Sequence, residues 1–185
     1  MTKAPAALNS LRLTSALQLS PVAASRNRTD IGETHMSLPR EEIEMLVHNI
    51  HDFFTDWVSG RCSGDAETLK NRGLDRISDD FIAIFPAGRK SAKSDFEAYM
   101  SGSYGSNPDF RIRISDISVP HSGDDLAIVN YREWQRGAKN SDDPENGRIT
   151  TMVVGPRPSG NGLEIRHVHE TWLPREDVEN ADFKF

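Results

Sequence analysis

The run Leu163-Glu164-Ile165-Arg166-His167-Val168-His169-Glu170-Thr171-Trp172-Leu173-Pro174 reads as one long strand. It is rich in β-branched and aromatic residues, follows a Gly160-Asn161-Gly162 turn and meets a proline stop at Pro174. Alternation puts Leu163, Ile165, His167, His169, Thr171 and Leu173 on one face. Arg166, Val168, Glu170 and Trp172 take the other. Neither set is a solvent face, so the strand is expected deep in a sheet, with both sides covered.

Working back from it, Arg148–Val154 and Leu126–Arg136 are two more strands, joined by the polar loop Gly137–Gly147. Before the turn His121–Asp125, Phe110, Ile112 and Ile114 alternate, and the phase then slips to Ile117 and Val119. That slip predicts a bulge near Ser115-Asp116. Phe81–Phe85 is a short strand, and Ser94-Asp95-Phe96-Glu97 opens a helix through about Ser101 with a capping-box pattern. Asp65–Asn71 is a short helix closed near Gly73. Furthest out, Ile43, Leu46, Val47, Ile50, Phe54, Trp57 and Val58 recur at three- and four-residue spacing. They predict a long amphipathic helix, capped by Ser37, with Pro39, Glu41 and Glu42 at its start and Ser59-Gly60 at its end. Helices first and a meander of antiparallel strands after them make an α+β domain, with helices on one face of the sheet.

The 185 residues suit one domain plus an extension. A formal net charge of -6 with scattered basic residues argues against a nucleic-acid partner. Cys62 is the one cysteine, which rules out an internal disulfide, and no apolar run reaches the ~20 residues of a membrane span. Residues 1–36 form a distinct extension. It has no acid before Asp30, carries Lys3, Arg12, Arg26 and Arg28, and is rich in Ala, Ser and Leu. We read it as a disordered tail or an upstream start with Met36 as the true one; the alternative is a mitochondrial-type presequence over residues 1–35. The corresponding location is cytoplasmic, or the mitochondrial matrix in the second case. The domain is then 37–176, and 177–185 is a C-terminal tail.

Two histidine pairs invite a metal reading. His167 and His169 project to one side, ~7 Å apart at strand rise, but Glu170 points the other way and cannot complete a site. His48 and His51 have helical spacing, yet His48 lies between Glu44 and Asp52 on the polar face, so the pair is read as solvated. No metal and no cofactor are expected.

The charged trio Glu133, Arg148 and Glu170, one per strand, is the second constellation. The order Tyr131-Arg-Glu133-x-Gln135-Arg-Gly137, then Gly147-Arg148-x-Thr150-Thr151, then His167-Val-His169-Glu170-Thr-Trp172 resembles the nuclear-transport-factor-2-like superfamily. Within it the chain resembles SnoaL-like proteins and the association domain of calcium/calmodulin-dependent kinase II. The resemblance spans about Glu41 to Pro174. It implies a cystatin-like fold: a cone-shaped, strongly curved antiparallel sheet with N-terminal helices on its concave face. In the kinase domain three arginines line a deep pocket, and by motif they fall on Glu133, Arg148 and Glu170. Only the middle one is arginine here, which disfavours an anionic ligand of the kinase type. The implied pocket residues are Trp57, Tyr131, Glu133, Arg148, Glu170 and Trp172.

The same resemblance implies a homodimer through the outer sheet face, where Leu163, Ile165, His167, His169, Thr171 and Leu173 would lie. The functional expectation is a small-molecule-binding or assembly domain with an unknown organic ligand. The alternative is a cofactor-independent isomerase, dehydratase or cyclase, with a carboxylate or histidine moving a proton and Tyr131 polarising an oxygen. Arg148 beside each acid is expected to lower its pKa and weaken it as a base, which favours binding.

Overall fold

The computed structural model describes residues 37–139 and 141–185; the expectations for residues 1–36 lie outside these. The chain runs α1 (Arg40–Ser59), α2 (Ala66–Arg72), a 3-10 turn (Leu74–Arg76), β1 (Ile77–Ile84), β2 (Lys90–Ala92) and α3 (Lys93–Ser103). It continues through β3 (Arg111–Ser122), β4 (Ala127–Arg136), β5 (Asn146–Pro156), β6 (Leu163–Trp172) and α4 (Arg175–Glu179). The fold class is α+β, as expected. Among the described residues no helix is long and apolar enough to cross a membrane.

The six strands form one sheet in the order β2-β1-β6-β5-β4-β3. The last strand is therefore interior, between β1 and β5. The sheet is mixed, because β1 runs parallel to β6 while every other pair is antiparallel. A meander alone does not produce that pair; the chain crosses from β1 through β2, α3 and three further strands before β6 returns beside it.

α1 crosses the inner face of this sheet. Ile43, Leu46, Val47, Ile50, Phe53 and Trp57 are buried in one core with Val129, Tyr131, Met152, Val154 and Ile165. Phe53, fully buried, takes the deep position that the spacing assigned to Phe54. Pro39 itself is the N-cap residue, with no side-chain cap, so Ser37 does not play that part. At the other end Gly60 adopts φ 71°, and Arg61 N–H reaches Asp56 O at 2.8 Å, closing the helix in a left-handed turn. A Cβ there would sit 3.2 Å from Gly105 Cα, so the site needs glycine for space as well as for backbone conformation. α3 starts at Lys93, one residue before Ser94, and the Asp95 carboxylate accepts from Ala92 N–H at 2.9 Å.

The bulge in β3 falls where the phase slips: register shifts between Ser115 and Ser118, and Asp116 has φ 56°. A second bulge, in β6, was not anticipated. Val154 pairs with Ile165 but Val153 with His167, so Arg166 is an extra residue in the ladder. Its guanidinium turns back over Gly155, where a Cβ would collide with it, and donates to Pro156 O at 3.2 Å. The alternation flips there. Leu163 and Ile165 therefore join the inner core with Val168 and Glu170, and the expectation that they face outward is corrected.

The C-terminal residues pack rather than trail. Phe183 meets Trp134 edge-on at 6.1 Å, Arg136 donates to Phe183 O at 3.2 Å, and Arg132 reaches Asp177 at 3.9 Å. Arg132, Trp134 and Arg136 lie on the outer side of β4, so α4 and the last residues cover that part of the outer face.

Candidate functional site

Register builds the site. Tyr131, Thr150 and Glu170 lie side by side across β4, β5 and β6, and Glu133, Arg148 and Trp172 form the next row. Both rows face α1. Arg148 donates to Glu170 Oε2 at 2.7 Å and to Asn146 Oδ1 at 3.2 Å, and its Nε stands 4.0 Å from Glu133 Oε1. Its guanidinium lies over the Trp172 ring at 5.0 Å. Glu133 also accepts from Gln135 Nε2 at 2.6 Å. Tyr131, Glu133, Arg148 and Glu170 are buried, whereas Trp172 is 45% exposed and marks the rim.

A further member comes from α1 and sequence reasoning missed it. His51 is buried, with Nδ1 2.7 Å from Val47 O and Nε2 3.3 Å from Glu133 Oε2 and 3.4 Å from Tyr131 Oη. His48 is exposed, as read; the error was to treat the two alike. Val47 O can only accept, so Nδ1 carries a proton; Nε2 faces both the Glu133 carboxylate and the Tyr131 hydroxyl, and donating to Glu133 makes the ring an imidazolium. The signal was present: Ile43, Val47, His51 and Thr55 form one i, i+4 row, and all four are buried.

The electrostatics follow. Burial alone would push the His51 imidazole down, but its hydrogen bond and charge interaction with Glu133 outweigh that and raise it. Burial would raise Glu133; Arg148 and His51 together overcome it and hold this carboxyl at about 2. Glu170 goes the other way. Burial and the negative charge of Glu133 lift it to about 7, more than Arg148 offsets. Two carboxylates share one guanidinium, and the one without the histidine takes the proton more readily. The expectation that Arg148 depresses both acids is thus corrected at Glu170.

Trp57 lies apart from this set. It is buried, donates to Met100 O at 2.7 Å and stacks against Phe53 and Tyr104, tying α1 to α3. His167 and His169 lie on the outer face, away from the cluster. Two grooves among the described residues also lie outside it. One of about 860 Å³ runs between α1 and β3, and one of about 650 Å³ sits beside Asp109, Arg136 and Asp143; neither is lined by Glu133, Arg148 or Glu170.

No family model matches the sequence, and no curated protein matches it. Solved structures do. A nuclear-transport-factor-2-like protein of unknown function from Pseudomonas aeruginosa is 28% identical, with TM-score 0.63 over 72% of this chain and 99% of that one. A protein with a cystatin-like fold from Caulobacter vibrioides is 11% identical, with TM-score 0.56 over 76% and 93%. The calcium/calmodulin-dependent kinase II hub of S. rosetta is 15% identical, with TM-score 0.56 over 74% and 98%.

Proposed function

We propose that this chain, which has the nuclear-transport-factor-2-like, cystatin-like fold, binds a small organic molecule at the His51–Glu133–Arg148–Glu170 cluster. One observation carries the reading: four ionisable side chains from α1, β4, β5 and β6 are buried together. Such a set is a poor device for stability, because well-packed apolar residues in place of buried ion pairs are often neutral or stabilising. Strongly displaced ionisable groups gather at sites of binding and chemistry instead. With His51 and Arg148 positive and Glu133 negative, Glu170 sets the balance, so the site suits an uncharged molecule with hydroxyl or carbonyl groups. Trp172, exposed beside Arg148, is the solvent-facing side of the cluster. Native mass spectrometry of protein purified without added ligand tests this: a bound organic mass on the wild type, reduced in Arg148→Met, is expected. An unliganded wild type that also fails to bind members of an uncharged hydroxy- and carbonyl-compound set removes the reading.

A second reading rests on Glu170 at about 7. A carboxyl half-ionised near neutrality is poised to take and return a proton, with the Tyr131 hydroxyl as the oxygen-polarising partner. Glu170→Gln separates the two: a binding site retains its ligand, whereas an acid–base site retains ligand and loses turnover.

Self-association belongs to the same proposal. On the outer face Ile82, Ile149, His169 and Thr171 are exposed, while α4 and Phe183 occupy the β4 side. The interface is therefore centred on β1, β6 and β5. Likeness to a kinase hub supports assembly, and light scattering of the protein checks it.

A further inference from the structure

We propose a second, separate binding site: the groove between α1 and the start of β3 takes a small anion with an apolar body, such as an aryl or alkyl phosphate or carboxylate. Five guanidiniums, Arg61, Arg72, Arg76, Arg111 and Arg113, line this space of about 860 Å³, against two side-chain carboxylates, Asp52 and Asp56. Both ion pairs within it are made by Asp56, to Arg72 at 3.0 Å and to Arg61 at 3.6 Å. The other three arginines meet no carboxylate within ion-pair distance among the described residues. Arg111 donates to the uncharged carbonyls of Pro108 and Phe110, at 2.8 and 2.7 Å. Arg113 lies over the Phe185 ring at 4.7 Å, and its Nε is buried without a hydrogen-bond partner. Like charges are crowded together in a chain whose net charge is -6.

Guanidiniums bind phosphate and carboxylate through paired, charge-assisted hydrogen bonds. An anion here would supply acceptors for donors now unpaired and relieve repulsion, since burial and the nearby Arg61 and Arg136 already hold Arg111 below the usual arginine value. Ile112, Ile114 and Phe185 supply the apolar wall on the β3 side of the same groove. That wall favours an anion with a hydrocarbon body over a bare ion. The residues are not those of the buried cluster, and the groove is independent of what the cluster binds.

Calorimetric titration with phenyl phosphate and with inorganic phosphate, at ionic strength held constant with chloride, tests the site. Saturable one-to-one binding of phenyl phosphate, tighter than inorganic phosphate, is expected. Losing the charged hydrogen bonds in Arg76→Gln with Arg111→Gln should weaken it about tenfold or more. Arg76→Gln alone keeps the test open if the second change lowers the yield of folded protein. Glu170→Gln should leave this binding unchanged, so failure here and failure of the cluster reading are distinguishable. Absence of saturable binding, or an affinity unaltered in both arginine variants, overturns the proposal.

Discussion

The inner face of the sheet and the groove at its β3 edge both gather arginine, and they treat it in opposite ways. In the first, Arg148 is buried and shared by two carboxylates, with His51 adding a second positive charge. In the second, at the edge of the sheet, arginines outnumber side-chain carboxylates. Charge in a dry place must be matched within the fold; charge at a wet edge can be left for something else to match. A guanidinium therefore has a structural meaning only together with its depth.

The sharpest way to break this contrast is to remove one arginine from each region. Arg148→Met leaves two carboxylates near each other with less compensation, and is expected to cost about 3–5 kcal/mol in urea unfolding at pH 7. Arg76→Met should change stability by no more than about 0.5 kcal/mol. Equal costs would mean that the cluster is not the dry network described. The Arg148→Met deficit should shrink as pH falls toward about 5, since the freed carboxylates then bind protons more tightly in the folded state. Combining it with Glu133→Gln removes one stranded charge, so the double variant should be more stable than Arg148→Met alone.

A pH series on the wild type sharpens the comparison further. Glu133, depressed to about 2, contributes stability above its ordinary 4.5 and loses it as pH falls through the folded value. Glu170, raised to about 7, contributes fully below 4.5 and loses that contribution as pH rises through neutrality. His51, also raised, contributes below 6.5 and loses that as pH rises through its folded value. The cluster's contribution should thus peak in mildly acidic solution and decline on both sides. Glu170→Gln should flatten the decline toward neutral pH, whereas Arg76→Gln should leave the profile as it is. The smallest effect on stability is expected from Ile149→Asp, on the exposed outer face, which should instead shift light-scattering mass toward monomer. An unchanged oligomer would place the interface elsewhere.

Much of this was legible in the sequence because strands have period two. Tyr131, Glu133, Arg148 and Glu170 each sit at the parity their strand requires, and their order along the chain matched a known scaffold. Parity also explains the misreading of Leu163 and Ile165. One extra residue at Arg166 reverses it, and an alternating pattern looks the same on both sides of a bulge. The β3 bulge was visible only because the apolar residues themselves change phase at Ser115. The parallel pairing of β1 with β6 joins segments far apart in sequence, so nothing local encodes it. His51 was hidden by its polar neighbours His48 and Asp52, although its helical row belongs to the core. The arginine groove draws on α2, the turn after it and β3, and no spacing brings those together.

The contact between Trp172 and Arg148 gives the protein its own optical reporter. Of three tryptophans, Trp57 and Trp134 are buried in packed clusters, and Trp172 alone is exposed. Its indole faces the guanidinium that Glu133 and Glu170 share. A change in the ionisation of Glu170, or a molecule arriving over Arg148, alters the field at that ring. Quencher accessibility of this one exposed indole therefore reads out events at the cluster, without any label having to be introduced.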